Sequence, residues 1–377
     1  MIPRTLKSVI DKRLNTGKAI IVLGPRQTGK TTLLTLICEE QGRWLLLNCD
    51  DPIVRTQLED ANETGLKRLL GNHTLIFIDE AQRVRNIGLT LKIIVDRIKN
   101  VQLLVSGSSG LEIANEVNEP LTGRKWEYLL YPISWQEFAG HTGFLETERQ
   151  LEHRLVFGMY PEIITHAGQE TEILLQLSGS YLYKDLLSLK GVRKPDLLEK
   201  LLKALALQLG NEVSYNELSQ LLEVDKKTIV NYLDLLEKAF VIFRLQPFSR
   251  NLRNEINTSR KIYFFDNGIR NALIANFQPI NVRSDVGALW ENFLIGERAK
   301  YLHYHSIWAN KFFWRTHQRQ EIDYIEEFDG ILHAYEFKWN PVKKARFPKT
   351  FINTYPNHQL ETVNRKNYRE FVTGESV

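Results

Sequence analysis

The first residues in this chain with the types and spacing for chemistry are Gly24, Pro25, Arg26, Gln27, Thr28, Gly29, Lys30, Thr31 and Thr32. They read G-x-x-x-x-G-K-[ST]. Glycines at the first and sixth positions permit a tight backbone path that turns successive N–H groups inward onto phosphate oxygens, and a helix beginning behind them adds its positive dipole end. In such a loop Lys30 reaches the β- and γ-phosphates of a nucleotide, and the Thr31 hydroxyl ligates Mg²⁺. The apolar run Ala19 to Leu23 before the loop and the helical pattern after it supply the strand–loop–helix setting that this chemistry needs. The ligand class it selects is a magnesium-bound triphosphate such as ATP.

A second set of groups belongs to the same reaction. In LIFIDEAQRV, four apolar residues make a buried strand, and Asp79 and Glu80 emerge at its C-terminal end, where ligands collect in open α/β sheets. Asp79 is expected to hold Mg²⁺ through its water shell, and Glu80 to orient or deprotonate the attacking water. In QLLVSGSSG another strand ends at Ser106, Gly107 and Ser108. There Ser108 either hydrogen-bonds the γ-phosphate or its water, or simply closes a turn and caps a helix. Arg124, in LTGR, is either an arginine finger for a neighbouring subunit's γ-phosphate or a solvated surface residue.

Far along the chain lies a separate candidate. Glu291 falls on a helical stretch, Glu321 and Asp323 on one strand, and Glu336 and Lys338 on another, with a turn at Asp329 and Gly330 between the two. Side chains at i and i+2 of a strand share a face, so Glu321 goes with Asp323 and Glu336 with Lys338. The layout D, twelve residues, E-x-K resembles the active-site signature of the restriction-endonuclease-like nucleases. That resemblance implies a second metal site at Glu291, Asp323, Glu336 and Lys338. Carboxylates would take the hard cation, and the lysine would position water or stabilise phosphate charge. The same fold also serves for binding without cleavage.

Short apolar runs alternating with helical patterns in the first third imply a parallel sheet with crossover helices. The strands expected are 19–23, 44–47, 75–78, 101–105 and 126–130. GPRQTGKTT, LIFIDEAQRV, LLVSGSS, LTGR and YPISWQEF, in this order, resemble the bacterial and archaeal AAA-type ATPases whose C-terminal half is a domain of unknown function. GMYPEII, YLYKDLL and KIYFFDNGIR extend the resemblance over nearly the whole chain. It implies an AAA+ core, ATP hydrolysis and a homo-oligomer. One departure is Lys184, where the family more often has Arg, and this puts a bidentate sensor contact there in question.

Four segments are expected: an AAA+ core at 1–135, a helical lid and connector at 136–210, a winged helix at 211–255 and a smaller nuclease-like α/β domain at 256–377. In the connector, Glu137, His141, His153 and His166 lack metal-ligand spacing and read as surface residues. Ser214 with Glu217 forms a capping box, and Asp225 caps a second helix with Lys226, Lys227, Thr228 and Asn231 outward. A strand or hairpin within 240–248 follows. That arrangement suits either DNA contact or a protein spacer.

The net charge of +4 sits entirely in the last third: residues 1–250 hold 31 basic and 31 acidic side chains, and residues 251–377 hold 18 and 14. A modest excess permits nucleic-acid contact, and a protein client is the alternative partner. Two cysteines are too few for a disulfide framework, which makes a reducing cytoplasm the expectation. No apolar run approaches the ~20 residues of a membrane span. The basic start MIPRTLKSVIDKRL is expected to be a helix packed on the core and not a transit peptide.

Overall fold

The computed structural model describes residues 1–108, 120–182, 194–249, 260–316 and 318–375. Lys184 lies outside the described residues. The chain divides into two compact units, one of residues 1–132 with 238–240 and one of residues 133–237 with 241–377.

The first unit is built on β1 (Ala19–Leu23), β2 (Trp44–Asn48), β3 (Leu75–Asp79), β4 (Gln102–Gly107) and β5 (Lys125–Leu129), in the order β2-β3-β4-β1-β5. Every pairing in this sheet is parallel. All residues of β1, β3 and β4 are buried, whereas β2 and β5 at the edges are only partly covered. That pattern follows from crossover helices that cover both faces of the central strands. Ile21, Leu23, Ile76, Ile78, Leu103 and Val105 share one core with Leu58, Leu66 and Leu91 from helices. The alternate residues Ile20, Val22, Phe77 and Leu104 are equally buried, and period-two alternation sends them to the opposite face. Cys38 and Cys49 are free and buried in this unit.

Helix α1 (Thr5–Asp11) is the structure adopted by the basic N-terminal stretch. It buries Leu6 and Ile10, and Lys7 reaches Glu40 at 2.6 Å on α2 (Lys30–Gln41).

The second unit carries a seven-stranded sheet, with β6 (Glu212–Val213), β7 (Ile242–Pro247), β8 (Arg260–Phe264), β9 (Asn310–Arg315), β10 (Glu321–Phe328), β11 (Ile331–Lys338) and β12 (His358–Asn364) in the order β12-β11-β10-β9-β7-β8-β6. Ser214 accepts from Glu217 N–H at 3.4 Å and Asp225 from Thr228 N–H at 2.9 Å, starting the helices Tyr215–Leu221 and Lys226–Lys238. The strand behind them, β7, pairs antiparallel with β8 and parallel with β9. The helix pair therefore leads directly into the sheet that also holds β10 and β11.

Glu137 departs from the sequence reading. It is buried at the third position of the helix Trp135–Thr142, where its carboxylate accepts from Ser134 N–H at 2.9 Å while Ser134 Oγ accepts from Glu137 N–H at 3.1 Å. A reciprocal capping box satisfies two helix-end donors and so carries the carboxylate inward.

Candidate functional site

The loop between β1 and α2 owes its path to three left-handed residues, Gly24 (φ +148°), Gln27 (φ +60°) and Gly29 (φ +90°). Gly24 is irreplaceable on space alone, because a Cβ there would stand 2.3 Å from the Leu130 carbonyl oxygen. Arg4, just before α1, ties the loop down from outside: its guanidinium donates to the carbonyls of Thr28 and Tyr131, each at 2.6 Å. Thr28 is fully buried, and its hydroxyl donates to the Pro25 carbonyl at 2.9 Å. Lys30 is folded into the loop and donates to the carbonyls of Gly24 (2.8 Å) and Pro25 (2.7 Å). Gly29 caps α2 with no side-chain hydrogen bond, so a helix N-terminus lies directly behind the loop.

Beside the loop, sheet order does the assembling. Strand β4 lies between β1 and β3, with Val22 opposite Ser106 and Ile78 opposite Val105. All three strands deliver their C-terminal ends to one edge. Asp79 is there the shared acceptor: Thr31 Oγ1 donates to it at 3.0 Å and Ser106 Oγ also donates to it. Ser106 Oγ in turn accepts from Glu80 N–H at 3.1 Å. Glu80 is itself left-handed, at φ +53°. The Gln82 amide donates to Glu80 Oε2 at 2.6 Å and to Ser108 Oγ at 2.8 Å. A hydroxyl and a carboxylate in contact beside a helix N-terminus are oxygen donors of the kind hard Mg²⁺ takes, and the helix N-terminus behind the loop suits a polyphosphate.

Of the residues expected from sequence, the loop 24–32, Asp79, Glu80 and Ser108 come together. Arg124 does not. It immediately precedes β5 and bonds through its backbone carbonyl to Ala19 N–H at the start of β1, the sheet edge opposite the loop. Its side chain pairs with Asp96 at 2.6 Å and is 41% exposed. Arg4, Ser106 and Gln82 were not singled out from sequence. Only alternation along β4, which puts Ser106 on the same face as Ser108, could have pointed to one of them.

The C-terminal cluster also assembles. Glu291 comes from the helix Val286–Tyr304, and β10 pairs with β11 at Tyr324 and Tyr335, bringing Asp323 to Glu336. Its interior, however, is filled by a residue from β8. Lys261 Nζ stands 3.0 Å from Glu291 Oε1 and 2.6 Å from Glu321 Oε1, with only 2% of its side chain exposed. Tyr263 OH donates to Glu291 Oε1 at 2.5 Å. Asp323 Oδ2 accepts from Phe337 N–H at 2.8 Å, and Lys338 Nζ lies 2.6 Å from Glu336 Oε2. Burial pushes Glu291 up to about 7 against the pull of Lys261. Burial and the neighbouring Asp323 charge push Glu336 up to about 7. Burial works against the Lys261 ammonium, but the charges of Glu291, Glu321 and Asp323 outweigh it and hold its pKa above the usual lysine value. Among the described residues no three His, Cys, Asp or Glu side chains are grouped to hold a metal ion. The second metal site expected at Glu291, Asp323, Glu336 and Lys338 is thus a salt-bridged cluster whose inner carboxylates are already paired with ammonium groups. The donors do not fit a divalent cation.

Known proteins divide the chain in a compatible way. Residues 16–139 match an AAA domain, 148–280 match a domain of unknown function (DUF8612), and 286–374 match a second domain of unknown function (DUF4143). An uncharacterized protein of Mycobacterium tuberculosis is 28% identical over 333 residues, which is 87% of this chain and 71% of that protein. Another, from Methanocaldococcus jannaschii, is 26% identical over 312 residues, covering 71% of this chain and 65% of its own. The Walker-type ATPase of Pyrococcus abyssi shares the fold, with a TM-score of 0.50 at 16% identity over 73% of this chain and 96% of that one. No helix among the described residues is long and apolar enough to cross a membrane. The loop and the strand-end acids fall within the match to the AAA domain, so the chain carries an AAA-type P-loop domain followed by two stretches that match domains of unknown function.

Proposed function

We propose that the chain binds Mg²⁺-ATP at residues 24–32 and hydrolyses it, and that the nucleotide state governs a binding partner held by residues 133–377. The observation that carries this reading is the Thr31–Asp79 contact beside Glu80 at the mouth of the loop. Loop amides and Lys30 would take the β- and γ-phosphates. Thr31 and Asp79 would hold Mg²⁺, which when bound neutralises phosphate charge. Glu80 would accept the proton of the attacking water, while Ser106 and Gln82 fix the two acids relative to one another. Arg124, on the opposite sheet edge, could act only on a neighbouring chain's nucleotide, which is where a homo-oligomer would place it.

DNA is the partner class that the exposed residues favour. Lys226, Lys227 and Asn231 are exposed at the start of the helix Lys226–Lys238, while Thr228 is occupied in its cap. A protein client is the alternative, and a reducing cytoplasm is the proposed setting.

The test is ATP binding and turnover, each with and without DNA. Lys30→Ala should lose saturable ATP binding with the fold intact. Glu80→Gln should bind ATP and turn over at least ~10²-fold more slowly. Full turnover by Glu80→Gln removes it as the base, and a rate and salt dependence indifferent to DNA transfers the partner role to a protein.

A further inference from the structure

The layout of Asp323, Glu336 and Lys338 implies a divalent cation, and the donors present do not accommodate one. We propose that Lys261 is the chain's own replacement for that cation, a fixed internal counter-ion that keeps the acidic cluster free of metal, so that the C-terminal unit binds without cutting.

The geometry is specific. A divalent cation shared by these acids would need oxygens of Glu291 and of the β10 or β11 carboxylates. Lys261 Nζ already stands at 3.0 Å and 2.6 Å from the Glu291 and Glu321 oxygens. Mg²⁺ demands oxygens at ~2.0–2.1 Å in near-octahedral array, and an ammonium within hydrogen-bond distance of the same oxygens both fills that volume and repels the ion. Nor is Lys261 free to withdraw as a loop lysine would be. It sits in β8, inside the seven-stranded sheet, with Leu245 of β7 on one side and Glu212 of β6 on the other. Its ammonium also lies 5.7 Å from the Phe313 ring. Lys338 adds a second cation, 2.6 Å from Glu336 and 3.8 Å from Asp323. Four carboxylates, those of Glu291, Glu321, Asp323 and Glu336, thus face two lysines supplied by the chain, with Arg315 3.9 Å from Glu321 at the margin. Lys261 belongs to a strand outside the pair that carries the E-x-K pattern, so only the tertiary structure brings it in.

The experiment is Mn²⁺ binding followed by electron paramagnetic resonance on the full chain without nucleotide, in an Asp79→Asn background that removes the metal ligand of the first site. It is independent of whether ATP is hydrolysed. With Lys261 present, no saturable Mn²⁺ uptake is expected at millimolar metal, and Lys261→Arg should behave the same way. Lys261→Met, neutral and of similar length, should take up one Mn²⁺ per chain, and adding Asp323→Asn should abolish that uptake. Circular dichroism checks the fold of each variant. Should Lys261→Met not fold, Lys261→Gln, which is neutral but keeps a hydrogen-bond donor against the Glu291 carboxylate, takes its place with the same expected uptake. Saturable Mn²⁺ uptake with Lys261 in place and lost with Asp323→Asn, or no uptake by a folded chain lacking Lys261, overturns the proposal.

Discussion

Gln82 shows how closely the proposed catalytic groups are held at the scale of single residues. One side-chain amide reaches both Glu80 Oε2 and Ser108 Oγ, so the carboxylate proposed as the base is tied to the end of β4. Gln82→Ala should leave ATP binding near its original strength and lower kcat by about 10–100-fold, the scale of loss that a misplaced catalytic group produces. Steady-state kinetics in two backgrounds separates this from general damage. In Glu80→Gln the Gln82→Ala change should cost nothing further, because the group it positions is already disabled. A parallel fall in both backgrounds, or a raised KM alone, would assign Gln82 to structure or nucleotide binding.

At the scale of elements, the GMYPEII and KIYFFDNGIR motifs explain one another. Asp266 caps the helix Asn267–Leu273 through Gly268 and Ile269 N–H, and its other oxygen accepts from Met159 N–H at 2.7 Å. The two segments approach so closely that a Cβ on Gly158 would stand 2.0 Å from Asp266 Oδ1, and one on Gly268 would stand 2.2 Å from the Phe157 carbonyl oxygen. Gly158 is also left-handed, at φ +73°. Gly158→Ala should therefore destabilise the second unit by about 1–3 kcal/mol, from overpacking and backbone strain together. Gly140→Ala, exposed in the helix Trp135–Thr142 with nothing within 4 Å, should change stability in the opposite direction by roughly 0.5–1 kcal/mol. Urea midpoints of the two variants give the signs directly. These motifs were legible as patterns, but their role in packing was not, since neither contains its partner's backbone.

For the molecule as a whole, acid should expose the cost of breaking buried ion pairs. Burial opposes ionisation of Asp285, but hydrogen bonds from Arg283 and Arg270 outweigh it and draw its pKa from 3.8 down to about 2. A depressed carboxylate stabilises fully above its unfolded value, and that contribution disappears as pH falls toward the folded one. Thermal melts between pH 4 and 2 should therefore fall more steeply in the wild-type chain than in Asp285→Asn, where that titration is gone. Equal slopes would place the acid sensitivity elsewhere. At the same scale, the expected boundary at 255 separates β7 from β8 and β9, its neighbours in one sheet. Parallel pairing of β7 with β9 joins Gln246 to Phe312 and leaves no local mark.

The amino-acid order alone fixed the phosphate loop, the five strands of the parallel sheet to within a residue or two, and the acids at the end of β3. Each is a local property: glycine at a left-handed position, an apolar run of strand length, a helix beginning behind a loop. Tertiary structure alone decided that Ser106 and Gln82 hold the two acids, that Arg4 anchors the loop from outside, and that Arg124 faces the opposite sheet edge. It alone decided, too, that the late acidic cluster is filled by Lys261. These are encounters between residues far apart in sequence, and which side chain fills a given volume is set by sheet order and register, which spacing along a chain does not encode.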